Sequence, residues 1–274
     1  MPKNSLIWRG LLARRLSAMA GLVVRQSPFA ALAGAGNVAG GWRYHLYAWR
    51  YRHTLWAPYT EQVSAFLNTW QPRRAQLVII GPSAGWHLPA AFLQRFEQVV
   101  AIEPDPLARW LLRRRFPQVR WVMHSDDYFT PDHPAGWSAN TARLFADYPN
   151  AALLFANFLG QLIGLYPGAV AEEQGDDIVQ TRVFGHWKAQ FAAQLATRTF
   201  ASLHDCWSSA QPPLQALPQN RADLSATAAP FGHSAQVVDH LIGGLLPQLP
   251  RKWLTWQRKP QMWHVIEALA QDRS

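Results

Sequence analysis

The residues best suited to chemistry follow short apolar runs. Gly81-Pro82-Ser83-Ala84-Gly85 comes directly after the run 77–80, Glu103 after 99–102, Asp126 and Asp127 after 119–123, and Asn157 after 151–156. Glycines at such a turn let the backbone approach a ligand closely, and the amides that open a following helix favour polar or anionic groups. Glu103 lies eighteen residues beyond Gly85, a spacing at which a carboxylate accepts both hydroxyls of a ribose. Asp126 or Asp127 is placed to accept from an adenine amino group, and Asn157 to lie beside the reacting centre. The spacing fits a nucleotide-like cofactor. His204 and Asp205 follow a fifth run, 200–203, and are the candidate proton-handling pair; His87, in the first loop, is a further candidate. The alternative for the pair is structural, with His204 ending a strand and Asp205 forming a turn. Cys206 reads as a buried small side chain without a partner base. The ten histidines contain no His-Glu-x-x-His pattern, so no metal site is expected.

These positions require strands whose carboxyl ends meet at one edge. The runs 77–80, 99–102, 119–123, 151–156 and 200–203 are short and nearly uninterrupted, as strands buried on both faces are. Helical spacing is expected over 86–96, 107–116 and about 181–198. The cations Arg113, Arg114 and Arg115 close the second of these, where the helix dipole favours them. Segment 208–232 is a long connection without period, 236–246 is read as helical, and 253–257 with 262–266 as a hairpin across 258–261. Strand and helix alternation of this kind gives an α/β fold: a mostly parallel sheet with helices on both faces and a C-terminal antiparallel hairpin.

Composition narrows the class further. The chain has 274 residues, 49% hydrophobic and 16% charged, which excludes disorder and fibre and supplies one large domain or a core with an accessory lobe. A single cysteine excludes an internal disulfide and thiolate zinc clusters and is compatible with a reducing, cytoplasmic setting. No apolar run reaches the roughly 20 residues that span a bilayer, so a soluble protein without a transmembrane segment is expected. The stretch 16–24 superficially resembles a targeting peptide, but Arg25 cuts it short. The net charge of +9 fits an acidic partner: nucleic acid, an anionic membrane surface or a phosphorylated substrate. Residues 1–60 carry eight Lys and Arg and no Asp or Glu. We therefore divide the chain into a basic, aromatic-rich helical lobe, 1–74, and an α/β domain, 75–274, with 30–41 as a hinge. The lobe's aromatics, Trp42, Tyr44, Tyr47, Trp49, Tyr51, Trp56 and Tyr59, are read as packing residues, with base stacking the alternative. Arg251, Lys252, Arg258 and Lys259 extend the basic character, and no base-reading motif accompanies them.

Residues 76–268, about two thirds of the chain, resemble the Rossmann-like class I S-adenosylmethionine-dependent methyltransferases. The resemblance implies a seven-stranded sheet with its last strand antiparallel and S-adenosylmethionine over the first glycine-rich loop. Gly81, Ser83 and Gly85 stand where that family has three alternating glycines, Glu103 takes the ribose hydroxyls, Asp126 or Asp127 the adenine, and Asn157 lies by the methyl donor. The chain departs from the pattern at Ser83 and at Ile79, which replaces the acidic residue two places before the first glycine. The fourth strand ends in Asn157-Phe158-Leu159-Gly160 rather than Asn-Pro-Pro-Tyr, so adenine, cytosine and glutamine amino groups are not the expected acceptors. The implied function is methyl transfer to an acceptor that the sequence does not name, a reaction that needs positioning more than a base. Two other readings compete. One is a non-catalytic module that keeps the fold and binds a partner through the basic lobe. The other is a short-chain NAD(P)-dependent oxidoreductase, whose loop resembles 81–87 with His87 in place of the last glycine; the Tyr-x-x-x-Lys pair of that family is absent from the chain.

Overall fold

The computed structural model describes residues 41–125, 128–129, 134–161, 177–213, 217, 237–240 and 242–273. The uninterrupted apolar runs form the parallel part of one sheet: β1 (Gln76–Ile80), β2 (Gln98–Ile102), β3 (Trp121–His124), β4 (Ala152–Ala156) and the first half of β5 (Phe200–Ser209). A short β6 (Val237–Asp239) pairs antiparallel with the far end of β5. The hairpin β7 (Arg251–Lys259) and β8 (Met262–Gln271) turns at Gln261, which takes φ 57°. β8 inserts antiparallel between β5 and β7, giving the order β3-β2-β1-β4-β5-β8-β7.

Alternation along each strand supplies two cores. One side buries Leu77, Ile79, Val99, Leu154, Leu203 and Ile266 beneath α1 (Gly41–Tyr51), α2 (Ala57–Thr69), the helical turn α3 (Ala90–Leu93) and α4 (Pro106–Arg115). The other buries Val78, Ile80, Val100, Phe155 and Phe200 beneath α5 (Pro134–Asp147) and α6 (Asp177–Leu195), where Trp187 and Phe191 stack at 5.0 Å. Helix α4 starts as its sequence dictates: Asp105 accepts from the Leu107 amide at 2.8 Å as N-cap, and Pro106 follows at the first helical position. Two polar contacts pin the N-terminal helices to the sheet edge, from Trp56 Nε1 to the Arg258 carbonyl (2.9 Å) and from the Thr255 amide to Gln62 Oε1 (3.2 Å). The described residues all belong to one compact unit, Ala35–Ser274.

Four expectations need correction. The helix expected over 86–96 is only the four-residue turn α3, because Pro89 stands extended just before it and interrupts any helix continuing from Gly85. The described residues of 236–246 are not helical: the β-branched Val237 and Val238 join β5 as β6, and Gly244 takes φ 68°. The third strand begins at Trp121 rather than 119 and extends through His124. Strand β5 does not stop at Leu203 but continues to Ser209 with a bulge between Asp205 and Trp207, because β8 pairs with it along that length. The hinge expected over 30–41 lies outside the described residues except for Gly41, which opens α1.

Candidate functional site

The chain leaves β1 toward β2 on one side, while β4 pairs with β1 on the other. The carboxyl ends of β1 and β4 therefore flank the point where strand order reverses, the place where open α/β sheets bind ligands. In the loop after β1, Gly81, Ser83 and Gly85 all take positive φ, 64°, 49° and 62°. Glycine suits the first and last of these, and Ser83 holds the same conformation under strain. A Cβ on Gly85 would lie 2.9 Å from Phe116 and 3.0 Å from Leu112, so this glycine lets α4 pack against the loop. A Cβ on Gly81 would meet the Phe158 side chain at 2.9 Å, so Phe158 closes that side of the loop.

Glu103 ties the end of β2 to the loop. One carboxylate oxygen accepts from the Ser83 amide at 2.7 Å and the other from the Asp105 amide at 3.0 Å. An ionised carboxylate oxygen accepts more than one hydrogen bond, so both retain capacity for a ligand hydroxyl. Burial pushes the Glu103 carboxyl up to about 7, against the lowering effect of these two amides. Asn157, at the end of β4, takes φ 60°, and its amide donates to the Leu203 carbonyl at 2.7 Å. Its buried Oδ1 has no partner among the described residues. Ile79 is fully buried in the sheet and carries no acidic group to the loop. Asp126 and Asp127 lie outside the described residues.

Beside this loop a second polar group gathers on the face covered by α1 and α2. Asp205 Oδ2 lies 3.3 Å from His264 Nδ1. Burial raises the Asp205 pKa, but His264, then His240 and Arg258, outweigh it and hold the carboxyl below its ordinary value. The Trp256 ring lies 5.2 Å from His264 and 5.2 Å from Tyr59, and Tyr59 stands 5.8 Å from His87. Burial, with Arg115 adding to it, lowers His87 to about 4, which leaves it neutral at neutral pH. The buried atoms Tyr59 Oη, His87 Nε2, Trp256 Nε1 and Asp205 Oδ1 have no hydrogen-bond partner among the described residues. Each such atom costs about 1–3 kcal/mol if left unpaired, so their convergence marks a place for a polar ligand or water. Gly160 seats the β4 loop on this group: a Cβ there would lie 2.2 Å from the Asp205 carbonyl oxygen. His240 Nδ1 meets the Gly160 carbonyl at 2.6 Å.

The structure separates the expected pair His204 and Asp205. They are adjacent in β5 and so point to opposite faces. His204 is fully buried on the α6 side, between Ser202 Oγ at 2.9 Å and Glu267 Oε2 at 3.0 Å. Glu267 also pairs with Arg251 and accepts from the Gly244 amide at 2.9 Å. Burial raises the Glu267 pKa, but the hydrogen bond and charge of His204, with Arg251, hold it below its ordinary value. His204, Cys206 and Glu267 stand close enough to hold a metal ion, yet the Arg251 guanidinium already neutralises the carboxylate. This is a closed network that joins β5, β7 and β8.

Of the residues expected from the sequence, Glu103 and Asn157 stand at the loop after β1, and Asp205 and His87 in the polar group beneath α1 and α2. Sequence reasoning took Tyr59 as packing and did not single out Trp256, His240, His264 or Gly160 for the site. The alternation in β7 and β8 was the available signal, since it puts Trp256 and His264 on one face of the hairpin.

No family model and no curated protein matches the chain. Solved structures similar to it include the N-methyltransferase NodS from Bradyrhizobium japonicum in complex with S-adenosyl-L-homocysteine, 14% identical, with a TM-score of 0.39 over 77% of this chain and 85% of that one. Magnesium protoporphyrin IX methyltransferase from Synechocystis with bound S-adenosylhomocysteine is 9% identical, with a TM-score of 0.39 over 79% and 85%. The 1,6-didemethyltoxoflavin-N1-methyltransferase of Burkholderia thailandensis is 17% identical, with a TM-score of 0.37 over 78% of each chain. The fold rests on the chain's own sheet: its last strand, β8, is antiparallel, as the resemblance to class I methyltransferases implies, while the short β6 beside β5 makes it eight-stranded rather than seven-stranded.

Proposed function

We infer that the chain binds S-adenosylmethionine at the loop after β1 and transfers its methyl group to an acceptor held against Asp205 beneath α1 and α2. The observation that carries this reading is the Glu103 carboxylate, fixed at the loop by the Ser83 and Asp105 amides across the switch point from the unpaired Asn157 Oδ1. In this reading Glu103 accepts the ribose hydroxyls. Asn157 Oδ1 accepts from the amino group of the methionine portion, which the missing acid at Ile79 leaves without its usual partner. When bound, S-adenosylmethionine supplies an electrophilic methyl group. The chain's own residues position the acceptor. Asp205, kept ionised beside His264, accepts a hydrogen bond from an acceptor O–H or N–H and can take its proton. The Tyr59 and Trp256 rings exclude water. His204 serves the closed network, and α1 and α2 act as the cover over the acceptor.

A second reading has its own support. Phe158 against Gly81 and the single helical turn after the loop suit a partner-binding module that no longer takes a cofactor. Thermal unfolding with and without ligand separates the two. At a hundred times its dissociation constant, S-adenosylhomocysteine stabilises the enzyme by about 2.7 kcal/mol. Glu103→Ala loses that gain, and NAD gives none. No shift with S-adenosylhomocysteine or S-adenosylmethionine on the folded wild type selects the module.

A further inference from the structure

The outward faces of α1 and α4 are unlike the rest of the surface. Among the described residues, the large apolar side chains that stand exposed are Trp42 (48%), Leu46 (47%), Trp49 (63%) and Trp110 (52%). Trp42, Leu46 and Trp49 recur at helical spacing and so share one face of α1. Trp110 lies on α4, which packs against α1 and is joined to it where His45 Nε2 meets the N-cap Asp105 at 3.4 Å. The two helices together contain six arginines, Arg43, Arg50, Arg109, Arg113, Arg114 and Arg115, and no Asp or Glu. Arg43, Arg50, Arg113 and Arg114 are exposed. An exposed apolar patch rimmed by cations marks an interaction surface rather than a solvated one.

We propose that this face docks on an anionic lipid bilayer, with Trp42, Leu46, Trp49 and Trp110 entering the headgroup boundary and the arginines engaging lipid phosphates. Three observations select that occupant. The charge is wholly of one sign, and guanidinium groups pair well with phosphate oxygens. Tryptophan and leucine on one face with arginines beside them is the composition of helices that lie in the bilayer interface. Leu46, between the two tryptophans of α1, has no ring to stack on a base, while Arg43 and Arg114 already lie over the Trp42 and Trp110 rings at 5.7 and 5.0 Å; a surface built to stack single-stranded nucleic acid leaves its rings open. Association is peripheral, since no described helix is long and apolar enough to cross a membrane. The inner face of α1 presents Tyr44 and His45 to the core, and His45 Nδ1 accepts from Trp86 Nε1 at 3.0 Å. Docking therefore sets the loop after β1 about one helix diameter, roughly 10 Å, from the bilayer.

Flotation of the full chain with large unilamellar vesicles tests this. One set is phosphatidylcholine alone, and the other holds about one third phosphatidylglycerol. The expected result is binding to the anionic vesicles only. It weakens at least about tenfold in a Trp42→Ser/Leu46→Ser/Trp49→Ser variant and in an Arg43→Gln/Arg50→Gln/Arg113→Gln/Arg114→Gln variant. These side chains are exposed, so both variants keep the wild-type circular dichroism. Absence of binding to anionic vesicles at low salt overturns the proposal. So does binding that the serine substitutions leave unchanged, since the rest of the chain would then be responsible. A single-stranded RNA oligonucleotide is titrated in parallel; RNA binding lost in both variants, without vesicle binding, assigns the face to nucleic acid instead.

Discussion

Glu103 and His87 are buried near the same loop and are displaced in opposite directions, so they make opposing contributions to stability. In the folded chain Glu103 keeps its proton up to about pH 7, and in the unfolded chain only to 4.5. Between those values the folded state binds more protons, so stability falls as pH rises through the window. His87 behaves in the reverse way: folded, it releases its proton near pH 4, and unfolded near 6.5. There the unfolded state binds more protons, and stability rises with pH. Each difference spans about two and a half pH units and is worth about 3 kcal/mol, so the two largely cancel in the wild type. Glu103→Gln and His87→Gln uncouple them. Relative to wild type, Glu103→Gln gains about 3 kcal/mol on going from pH 4.5 to 7, and His87→Gln loses about 3 kcal/mol between pH 4 and 6.5. Urea unfolding followed by tryptophan fluorescence at four or five pH values measures both differences, and subtraction from wild type removes every other titrating group. A Glu103→Gln difference flat across the window refutes the burial of a carboxyl at this loop. A His87→Gln difference that rises with pH refutes the neutral, desolvated imidazole.

Other perturbations bear on the parts around the loop. Gly160→Ala places a methyl 2.2 Å from the Asp205 carbonyl oxygen, against strand backbone that cannot yield, and is expected to destabilise the chain by about 3 kcal/mol or more in urea unfolding. Arg251→Ala takes the guanidinium partner from the buried Glu267 carboxylate, at a cost of about 3–5 kcal/mol; a loss below about 1 kcal/mol would show that the Ser202–His204–Glu267 network holds without it. Asn157→Gly keeps the left-handed backbone and removes the unpaired Oδ1. It is expected to leave stability within about 1 kcal/mol of wild type while weakening S-adenosylhomocysteine binding about tenfold, as read from calorimetry.

The sheet was legible because its strands are buried on both faces, so 77–80, 99–102 and 152–156 contain no polar side chain and can be nothing solvated. The hairpin was legible from its two runs around Pro260 and Gln261. The end of β5 was not. His204 and Asp205 resemble a strand terminus in isolation, and only the cross-strand partners Glu267 and His264, some sixty residues away, explain how a strand carries both. The helix expected after β1 failed for a local reason, since helical spacing over 86–96 outweighed the single residue Pro89 that prevents it. β6 went unrecognised because three residues are too few for a period, and their strand character comes from pairing with Ser208 and Ser209. At the candidate site, Glu103 and Asn157 could be read from their places after apolar runs. Tyr59, Trp256 and His264 could not, because they converge from α2, β7 and β8, and nothing in their own segments distinguishes them from core aromatics and a paired histidine.

Calorimetric titration of the folded chain with S-adenosylhomocysteine tests the central claim most directly, with Glu103→Ala alongside and circular dichroism confirming that both are folded. The account predicts one saturable site on the wild type, with a dissociation constant on the order of micromolar, and its loss in the variant. No heat from the folded wild type at millimolar ligand, or equal binding by the variant, would contradict it.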